Sequence, residues 1–283
     1  MSGFAADWLA LRETADLRAR NAMVRAAAMA PFKHRSAVTI VDLGCGTGAN
    51  LRALAMHLPA VQRWRLVDHD PALLAAARAA LRLWADRSEE RADGLVLDKS
   101  GRRIDVVFAP ADLATGCDAV LAEPADLVTA AAFFDLVSQA WIEAFCDALA
   151  RHALPLYAVL TYDGREEWSP PHPADAAMRA AFHSHQSRDK GFGPAAGPTA
   201  AASVQAALRR EGYEAISGPS PWRLGADDAM LIAALADGAA AAVAETMLVA
   251  SADCAAWRQA RVAASACTIG HVDLFARPGQ AAG

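Results

Sequence analysis

The feature that most constrains the fold of this chain is a glycine-rich segment that follows a short apolar run near residue 40. Residues 39–43 are β-branched and apolar, which is typical of a buried strand. Three glycines stand at alternate positions within residues 44–48, and residues 50–58 have helical character up to Pro59. Glycines let a backbone turn sharply and let a ligand approach the main chain closely. The segment therefore predicts the first strand, turn and helix of a doubly wound α/β domain.

A second strand, predicted at residues 64–70, ends in acidic residues about twenty positions after the glycines, the spacing of a nucleotide-binding fold. A carboxylate at the carboxyl end of such a strand can accept hydrogen bonds from the hydroxyls of an adenosine ribose. We assign that role to Asp68, with Asp70 as the alternative. Pro71 then marks the start of the next helix.

The segments VDLGCGTG and LVDHDPALL resemble motifs I and II of the class I S-adenosylmethionine-dependent methyltransferases. The resemblance covers residues 38–160, with a looser match to a terminal β-hairpin near residue 275. It implies an α/β fold with a doubly wound, mostly parallel seven-stranded sheet whose last strand is antiparallel. It also implies an N-terminal helical cap at 1–35, a methyltransferase domain at 36–283, and a substrate-covering insertion at about 164–198. The implied cofactor is S-adenosyl-L-methionine.

The resemblance also implies which residues bind the methyl donor. Asp42 would give the donor's ammonium group a negative partner, and Arg20 on the N-terminal helix could meet its carboxylate. A solvated, charged helix face explains Arg20 as well. Asp112 holds the position whose acid bonds the adenine amino group, with Leu113 offering its backbone N–H, although a surface turn explains Asp112 equally. The full implied donor set is Asp42, Gly44, Cys45, Gly46, Gly48, Asn50, Asp68, His69, Asp112, Leu113, Thr129 and Arg20.

Two other functions fit parts of the same sequence. Gly44-x-Gly46-x-x-Ala49 satisfies a relaxed nicotinamide-dinucleotide fingerprint, which favours an NAD(P)-dependent oxidoreductase. Asp42 inside the strand end favours the methyl donor instead, because the donor's ammonium group needs a negative partner. A non-catalytic domain that keeps the pocket as a scaffold or sensor is the other alternative, and the intact glycines with Asp68 argue against it.

The acceptor side of the site is expected after the fourth and fifth strands, predicted at residues 126–137 and 156–164. Residues 165–198 then form a long insertion, and such insertions commonly serve as lids or binding loops. We select His183, His185 and Asp163 as catalytic candidates, because an imidazole can act as a base near neutral pH. The candidate substrate-binding residues are Phe133, Asp135, Tyr162, Trp168 and Trp222.

Less specific explanations exist for these candidates. Core packing explains the two phenylalanines after the fourth strand, and ordinary solvent-facing loop positions explain His183 and His185. A His-x-His pair with Asp189 could bind a metal ion, but no second cluster of fixed spacing supports it. We therefore predict no metal site.

Composition narrows the class of function and the cellular setting. The chain has 283 residues and a formal charge of −5, with no lysine-arginine run, which argues against a nucleic-acid surface. Five dispersed cysteines without a CxxC pair argue for a reducing compartment. Residues 1–10 lack the apolar core of a secretory leader, and the apolar segment 230–249 is interrupted by acids and a glycine. We expect a cytoplasmic protein.

The absence of two known motifs narrows the chemical class of the methyl acceptor. The Asn/Asp-Pro-Pro-Tyr motif of amino-group enzymes acting on adenine or glutamine is absent after the fourth strand, and so is the Pro-Cys motif of cytosine C5 enzymes. With the acidic balance, this favours in-line methyl transfer to an oxygen or nitrogen of a small molecule. As partners we expect a small-molecule acceptor, neither nucleic acid nor a membrane, and we allow for a homodimer.

Periodicity and turn residues predict the other elements. These are a helix over residues 72–92, a hairpin or third strand over 95–108, a helix from Ser138, a rigid loop over 219–224, two alanine-rich helices at about 226–250 and 252–264, and a last strand over 268–276.

Overall fold

The computed structural model describes residues 5–279 and is built on one sheet of ten strands. Residues 1–4 of the predicted N-terminal helical segment (1–35) and residues 280–283 of the predicted methyltransferase domain lie outside the described part. The strands are β1 (Ala37–Leu43), β2 (Val61–Asp68), β3 (Arg87–Glu90), β4 (Gly94–Lys99), β5 (Arg102–Pro110), β6 (Leu127–Ala131), β7 (Leu156–Ser169), β8 (Tyr213–Pro219), β9 (Trp222–Leu224) and β10 (Ala266–Pro278). The helices are α1 (Ala6–Ala19), α2 (Ala22–Met29), α3 (Ala49–Leu54), α4 (Pro71–Trp84), α5 (Leu113–Ala122), α6 (Gln139–Arg151), α7 (Asp175–Gln186), α8 (Ala200–Arg210), α9 (Ala229–Thr246) and α10 (Ser251–Val262).

The predicted doubly wound core lies within this larger sheet, in the order β5-β2-β1-β6-β7-β10-β8. β1 pairs in parallel with both β2 and β6, and the parallel pairing continues to β5 on one side and β7 on the other. β10 is antiparallel to both β7 and β8. The α/β class with a mostly parallel sheet and an antiparallel end is confirmed. Because the chain winds outward from β1 in both directions, the crevice at the carboxyl ends of β1 and β6 is where ligands bind in such sheets.

Two of the predicted elements are wrong in part. The helix predicted over residues 72–92 ends at Trp84, and residues 87–90 form the exposed strand β3 beside β4. The Ala, Arg and Glu residues of this stretch favour a helix locally, but pairing along the sheet edge decides its structure. The loop predicted over residues 219–224 contains β9, which pairs with β10. Pairing with a strand more than forty residues away in the chain leaves no local signal.

Other predictions are confirmed. The hairpin expected over residues 95–108 is the antiparallel pair β4–β5, which turns at Gly101. The helix expected from Ser138 is α6, and the Ser138 hydroxyl accepts a hydrogen bond of 3.1 Å from the N–H of Trp141, as an N-cap residue does.

A helical layer covers the carboxyl edge of the sheet beyond β7. Residues 166–169 of β7 pair with residues 266–269 of β10, and α7, α9 and α10 pack on this extension. We call these three helices and the two paired strand ends the cap. The predicted insertion at about 164–198 is only part of this cover, because α9 and α10 complete it. Its core contains Trp168, Met178, Leu231, Ile232, Ala236, Val243, Cys254, Trp257 and Cys267.

A bulge in β7 marks where the sheet meets the cap. Leu160 has a φ of 57°, a conformation that costs a non-glycine residue about 1–3 kcal/mol unless its surroundings enforce it. Its N–H donates a 2.9 Å hydrogen bond to the buried carboxylate of Asp273 on β10. The other oxygen of Asp273 accepts a 2.7 Å hydrogen bond from the N–H of Asn21, just before α2. One buried acid therefore holds the bulge and anchors the N-terminal helices.

Within the described residues, one helical stretch, Ala226–Thr246, is long and apolar enough to cross a membrane by length and composition. It contains α9, whose buried residues begin with the adjacent pair Leu231 and Ile232 and then follow at intervals of four, four and three positions, so that they lie on one face. That face packs into the core of the cap. We therefore describe α9 as a structural helix of the cap.

Candidate active site

The glycine turn after β1 places main chain without side chains at the crevice. Gly44 and Gly46 have φ values of 60° and 53°, which side chains rarely tolerate. A Cβ at Gly44 would lie 2.7 Å from a ring carbon of Phe133, and one at Gly46 would lie 2.9 Å from a methyl of Leu9 on α1. The backbone conformation favours glycine at both positions, and at Gly44 the Phe133 ring also leaves no room for a Cβ. α1 lies over the turn as a cover.

A buried hydrogen-bond network lies at the end of β1. The amide nitrogen of Asn50 donates to Asp42 at 2.7 Å and to the hydroxyl of Thr129 at 3.0 Å. Arg20 donates to the amide oxygen of Asn50 at 2.8 Å, and Thr129 donates to the carbonyl of Tyr157 at 2.8 Å. The network brings together four members of the predicted donor set, from α1, β1, α3 and β6.

Two atoms of this network have no hydrogen-bond partner among residues 5–279: Oδ2 of Asp42 and Nε of Arg20. Burial raises the pKa of Asp42 to about 7, against the hydrogen bond from Asn50 and the charge of Arg20. Buried polar atoms are almost always paired in folded proteins, so two open ones indicate contacts that a ligand completes. One open acceptor and one open cationic donor match the ammonium and carboxylate groups of an amino-acid ligand. The residues fit the methionine part of S-adenosylmethionine.

The acid at the end of β2 bonds to the glycine turn. Asp68 is buried, and its carboxylate accepts hydrogen bonds from the N–H of Gly46 at 2.9 Å and of Asp70 at 3.0 Å. The ring of His69 lies beside the same carboxylate, 3.5 Å away. The side chain of Asp70 instead caps α4 through the N–H of Ala72, at 2.8 Å. The geometry therefore favours Asp68 over Asp70 as the ribose ligand.

An aromatic wall borders the glycine turn on the other side. The rings of Phe133, Trp141 and Phe192 lie edge to face, with centroids 5.5 to 5.7 Å apart. Trp141 donates a 2.8 Å hydrogen bond to the carbonyl of Leu113. Asp112 is exposed at the start of α5 and accepts a hydrogen bond of 2.9 Å from its first turn. A flat heteroaromatic ring such as adenine suits a wall of this kind.

Comparison with known proteins agrees with this geometry. Residues 40–129 match a family model described as "Methyltransferase domain". Residues 40–129 therefore carry a methyltransferase domain. The matched region runs from β1 to Thr129 on β6 and so includes the glycine turn, Asp68 and Asp112. The protein is an enzyme of this class, and its cofactor is S-adenosylmethionine.

One solved structure shows the same fold as the methyltransferase, and a second is less similar. A cyclopropane-fatty-acyl-phospholipid synthase-like protein from Lactobacillus casei ATCC 334 is 14% identical, with a TM-score of 0.57, and the match covers 97% of this chain and 94% of that one. A precorrin-6y C5,15-methyltransferase from Geobacter metallireducens GS-15 is 12% identical, with a TM-score of 0.44, over 91% and 87% of the two chains. Comparison with curated proteins gives no match.

On the side where we expect the acceptor, buried polar side chains cluster between α1, α7 and the ends of β7 and β10, and we call this cluster the chamber. Asp135 follows β6, is 7% exposed, and accepts a 3.3 Å hydrogen bond from the amide nitrogen of Gln186 on α7. His271 on β10 pairs with Tyr162 on β7, and the ring of Trp222 lies 5.0 Å from it. Three polar atoms of the chamber lack a hydrogen-bond partner within the described range: Oδ1 of Asp135, Oε1 of Gln186 and Nδ1 of His271.

Burial sets the protonation of the chamber. It raises the pKa of Asp135 to about 6, opposed by backbone hydrogen bonds and the charge of Arg12. It lowers the pKa of His271 to about 3, so this imidazole is neutral near pH 7. Arg12 is itself bonded to Asp16 at 2.9 Å, and its guanidinium lies 5.2 Å from the ring of Trp222. Near neutral pH the chamber therefore holds an ionised Asp135 beside neutral histidine.

His183, a predicted catalytic residue, contacts the chamber through Tyr162. The Tyr162 hydroxyl donates to Glu166 at 2.6 Å, and Nε2 of His183 lies 3.0 Å from the same oxygen. Burial and the charge of Arg179 lower the pKa of His183, while burial raises the pKa of Glu166. The Tyr162 hydroxyl therefore links His183 to Glu166 in one hydrogen-bonded row.

The three predicted catalytic candidates do not form one cluster. Nε2 of His185 lies 3.0 Å from the carboxylate of Glu245 on α9, away from Tyr162. Asp163 stands on β7 after Tyr162, and its carboxylate is bonded to Arg165 at 2.9 Å. Only His183 of the three bonds to a residue of the chamber.

Trp168, predicted to line the substrate pocket, lies in the core of the cap instead. Its ring is 5.5 Å from that of Trp257, and the guanidinium of Arg261 is 5.8 Å away. The pairing of β7 with β10 carries Trp168 beyond the chamber. Nowhere in residues 5–279 do three His, Cys, Asp or Glu side chains gather in a way that could hold a metal ion.

Sequence reasoning missed Arg12, Gln186 and His271 as residues of the chamber. His271 lies in the predicted last strand, which gave its position in the chain but not its neighbour on β7. Gln186 follows the His-x-His pair and belongs to the insertion that we already expected to cover the site. A polar residue inside the apolar last strand was the available signal for His271, because such a residue needs a buried partner or a ligand.

Proposed function

We propose that this methyltransferase transfers the methyl group of S-adenosylmethionine to an oxygen or nitrogen of a small-molecule acceptor. The observation that carries the proposal is the burial of the polar side chains Asp135, Tyr162 and His271, with α1 and the cap packed against Tyr162. An acceptor that reaches these side chains has to be small, because a polymer would need an open surface groove. The polar lining suits a heteroatom nucleophile better than an apolar carbon chain.

The donor-binding roles follow from the two atoms of the buried network that lack a hydrogen-bond partner within residues 5–279. Oδ2 of Asp42 would accept from the ammonium group and Nε of Arg20 would donate to the carboxylate. Asp68 would accept from the ribose hydroxyls with the lone pairs that its backbone bonds leave free. When bound, the cofactor supplies a methyl group on a positively charged sulfur, which is a good leaving group. The protein then has to hold the acceptor in line at close approach and exclude water.

We also propose a cytoplasmic location. All five cysteines are free thiols in the structure, which suits a reducing compartment. Fractionation of the native host with an antibody against the chain would check this, and recovery with the membrane pellet or the culture medium would contradict it.

Two experiments test the function. Calorimetric titration with S-adenosylhomocysteine and, separately, NADH should show binding of the first alone. Labelled methyl donor, incubated with the protein and an extract, should then place the label in the dialysable fraction. Binding of NADH alone would support the oxidoreductase instead. Label in nucleic acid, protein or unsaturated phospholipid would show that the acceptor is a polymer or an alkene carbon and would overturn the small-molecule proposal.

A further inference from the structure

The acceptor chamber contains one carboxylate without a cationic partner, that of Asp135. No Lys, Arg or His nitrogen lies within 4.0 Å of it among residues 5–279. Its Oδ1 has no hydrogen-bond partner there either, although the side chain is only 7% exposed. A buried charge is costly unless it is paired, so this oxygen lacks a contact that the folded chain does not supply.

The other acids around the chamber already have partners. Asp16 accepts hydrogen bonds from Arg12 at 2.9 Å and from Trp222 at 3.0 Å. Asp163 is bonded to Arg165 at 2.9 Å. The neighbouring imidazoles are neutral near pH 7, as described above. Arg12 and Arg165 are therefore balanced by their own acids, and Asp135 leaves the chamber with a net negative charge.

Glu166, the remaining acid, is bonded to the Tyr162 hydroxyl at 2.6 Å. Arg179 on α7 donates to the backbone carbonyl of Glu166 and lowers the pKa of the Glu166 side chain by its charge. Glu166 thus has a hydrogen-bond partner on its side chain and a cation nearby. The cation nearest in effect to Asp135 is Arg12, which is already bonded to Asp16.

The orientation of Gln186 adds a second open acceptor. Its amide nitrogen must face Asp135, because an ionised carboxylate can only accept hydrogen bonds. The amide oxygen is thereby fixed on the opposite side, and it is also without a partner. Both open atoms of this pair are acceptors. A ligand that completes them has to bring N–H or O–H donors, and an ammonium group brings three where a hydroxyl brings one.

From this unpaired carboxylate and its amide neighbour we infer that the methyl acceptor is a primary or secondary amine whose nitrogen binds at Oδ1 of Asp135. The inference rests on the proposed function and names its substrate class. Asp135 is a catalytic residue here because it touches the reacting nitrogen. Gln186 acts through Asp135 and is a positioning residue.

The chemistry at Asp135 balances without a further reactant. An ammonium N–H gives its proton to Oδ1, which frees the nitrogen lone pair. The N–C bond forms as the C–S bond breaks, and the bonding pair stays on sulfur. The carboxyl group then releases its proton to solvent. An ammonium ion thus becomes a methylammonium ion, the donor becomes S-adenosylhomocysteine, and one proton is released.

The test uses propylamine as the probe and 1-propanol as its uncharged counterpart, with the full chain saturated with S-adenosylhomocysteine at matched ionic strength. Millimolar propylamine should raise the thermal midpoint of the wild type, and 1-propanol should not. Asp135→Asn should abolish the response. Asp118→Asn should keep it, because Asp118 is an exposed acid paired with Arg151 and its loss makes the same change in net charge.

A pH series on the wild type does not depend on how any variant folds. The response to propylamine should fall as the pH drops through about 6, where Asp135 becomes protonated. Asp135→Glu should restore part of the response that Asp135→Asn loses. Equal responses to propylamine and 1-propanol, an unchanged response in Asp135→Asn, or a flat pH series would each overturn the inference. Failure to bind S-adenosylhomocysteine would instead refute the proposed function, so the two failures are distinguishable.

Discussion

The carboxylate of Asp68, at the end of β2, accepts a hydrogen bond of 2.9 Å from the backbone N–H of Gly46, in the turn after β1. The acid therefore holds the glycine turn in place as well as facing the expected ribose. Removing it should loosen the turn and delete a ligand contact together, which makes it a sensitive position for a test of the donor site.

Asp68→Ala should weaken binding of S-adenosylhomocysteine by about 2 kcal/mol, because hydrogen bonds to a charged group are lost. Calorimetric titration measures this. Asp70→Ala is the matched control: it removes the cap of α4 and should cost about 1 kcal/mol of folding stability while leaving donor affinity unchanged. The reverse result would transfer the ribose role to Asp70.

Asp42 should make the ligand-free protein less stable as the pH rises. An unfolded aspartate has a pKa of about 4, while that of folded Asp42 is about 7, so between these values the folded state binds more protons than the unfolded state. The free energy of unfolding should therefore fall by about 3 kcal/mol from pH 4 to 7 on account of this group. Urea denaturation at several pH values measures the slope.

Asp42→Asn removes that titration. Its free energy of unfolding should exceed that of the wild type at pH 8, since the variant removes the desolvation of the Asp42 carboxylate, which outweighs the attraction of that carboxylate to Arg20. The same variant should bind S-adenosylhomocysteine at least about tenfold more weakly, because the ammonium group loses its ionic partner. Parallel stability slopes in wild type and variant would refute the assignment of this pKa to Asp42.

Arg261 should be essential to the cap. It is 1% exposed, and its guanidinium donates to Asp175 at 2.9 and 3.0 Å. Arg261→Leu should destabilise the fold by about 3–5 kcal/mol, because the variant leaves the partner acid without its cation. Arg258→Leu breaks only an exposed pair with Asp237 and should cost less than about 1 kcal/mol. Thermal unfolding compares the two, and similar losses would mean that the buried pair is not special.

His183→Ala should lower methyl transfer about 100-fold, the usual size of a lost acid-base contribution, and should leave donor affinity unchanged. The measurement is transfer of labelled methyl to the acceptor found in the extract assay. His185→Ala is the control, since His185 is on the same helix but is paired with Glu245 outside the chamber. Full activity in His183→Ala would return that histidine to a structural role.

The donor half of the site was predictable because it is local in sequence. A strand, a glycine turn and an acid on the next strand lie within residues 39–70, and each belongs to a pattern that dictates its own geometry. Arg20 is a partial exception. The sequence suggested it, but only the packing of α1 over the sheet places it within 2.8 Å of Asn50.

The acceptor half was less predictable because it is assembled by pairing across the chain. Tyr162 and His271 are more than one hundred residues apart and meet only because β7 and β10 are neighbours. Trp168 was misplaced because the sequence presents α9 and α10 as alanine-rich helices without indicating where they pack. Tertiary packing of these helices, rather than local sequence, buries Trp168 beside Trp257.

β7 and β10 each run without a break from the central sheet into the cap, joined at the bulge that Asp273 holds. The strand ends of the cap are therefore continuous with the central sheet, and the cap cannot be removed without cutting these two strands. A substitution along either of these two strands would therefore act on the central sheet and on the cap together. In this architecture, the strands that carry chamber residues are strands of the central sheet itself.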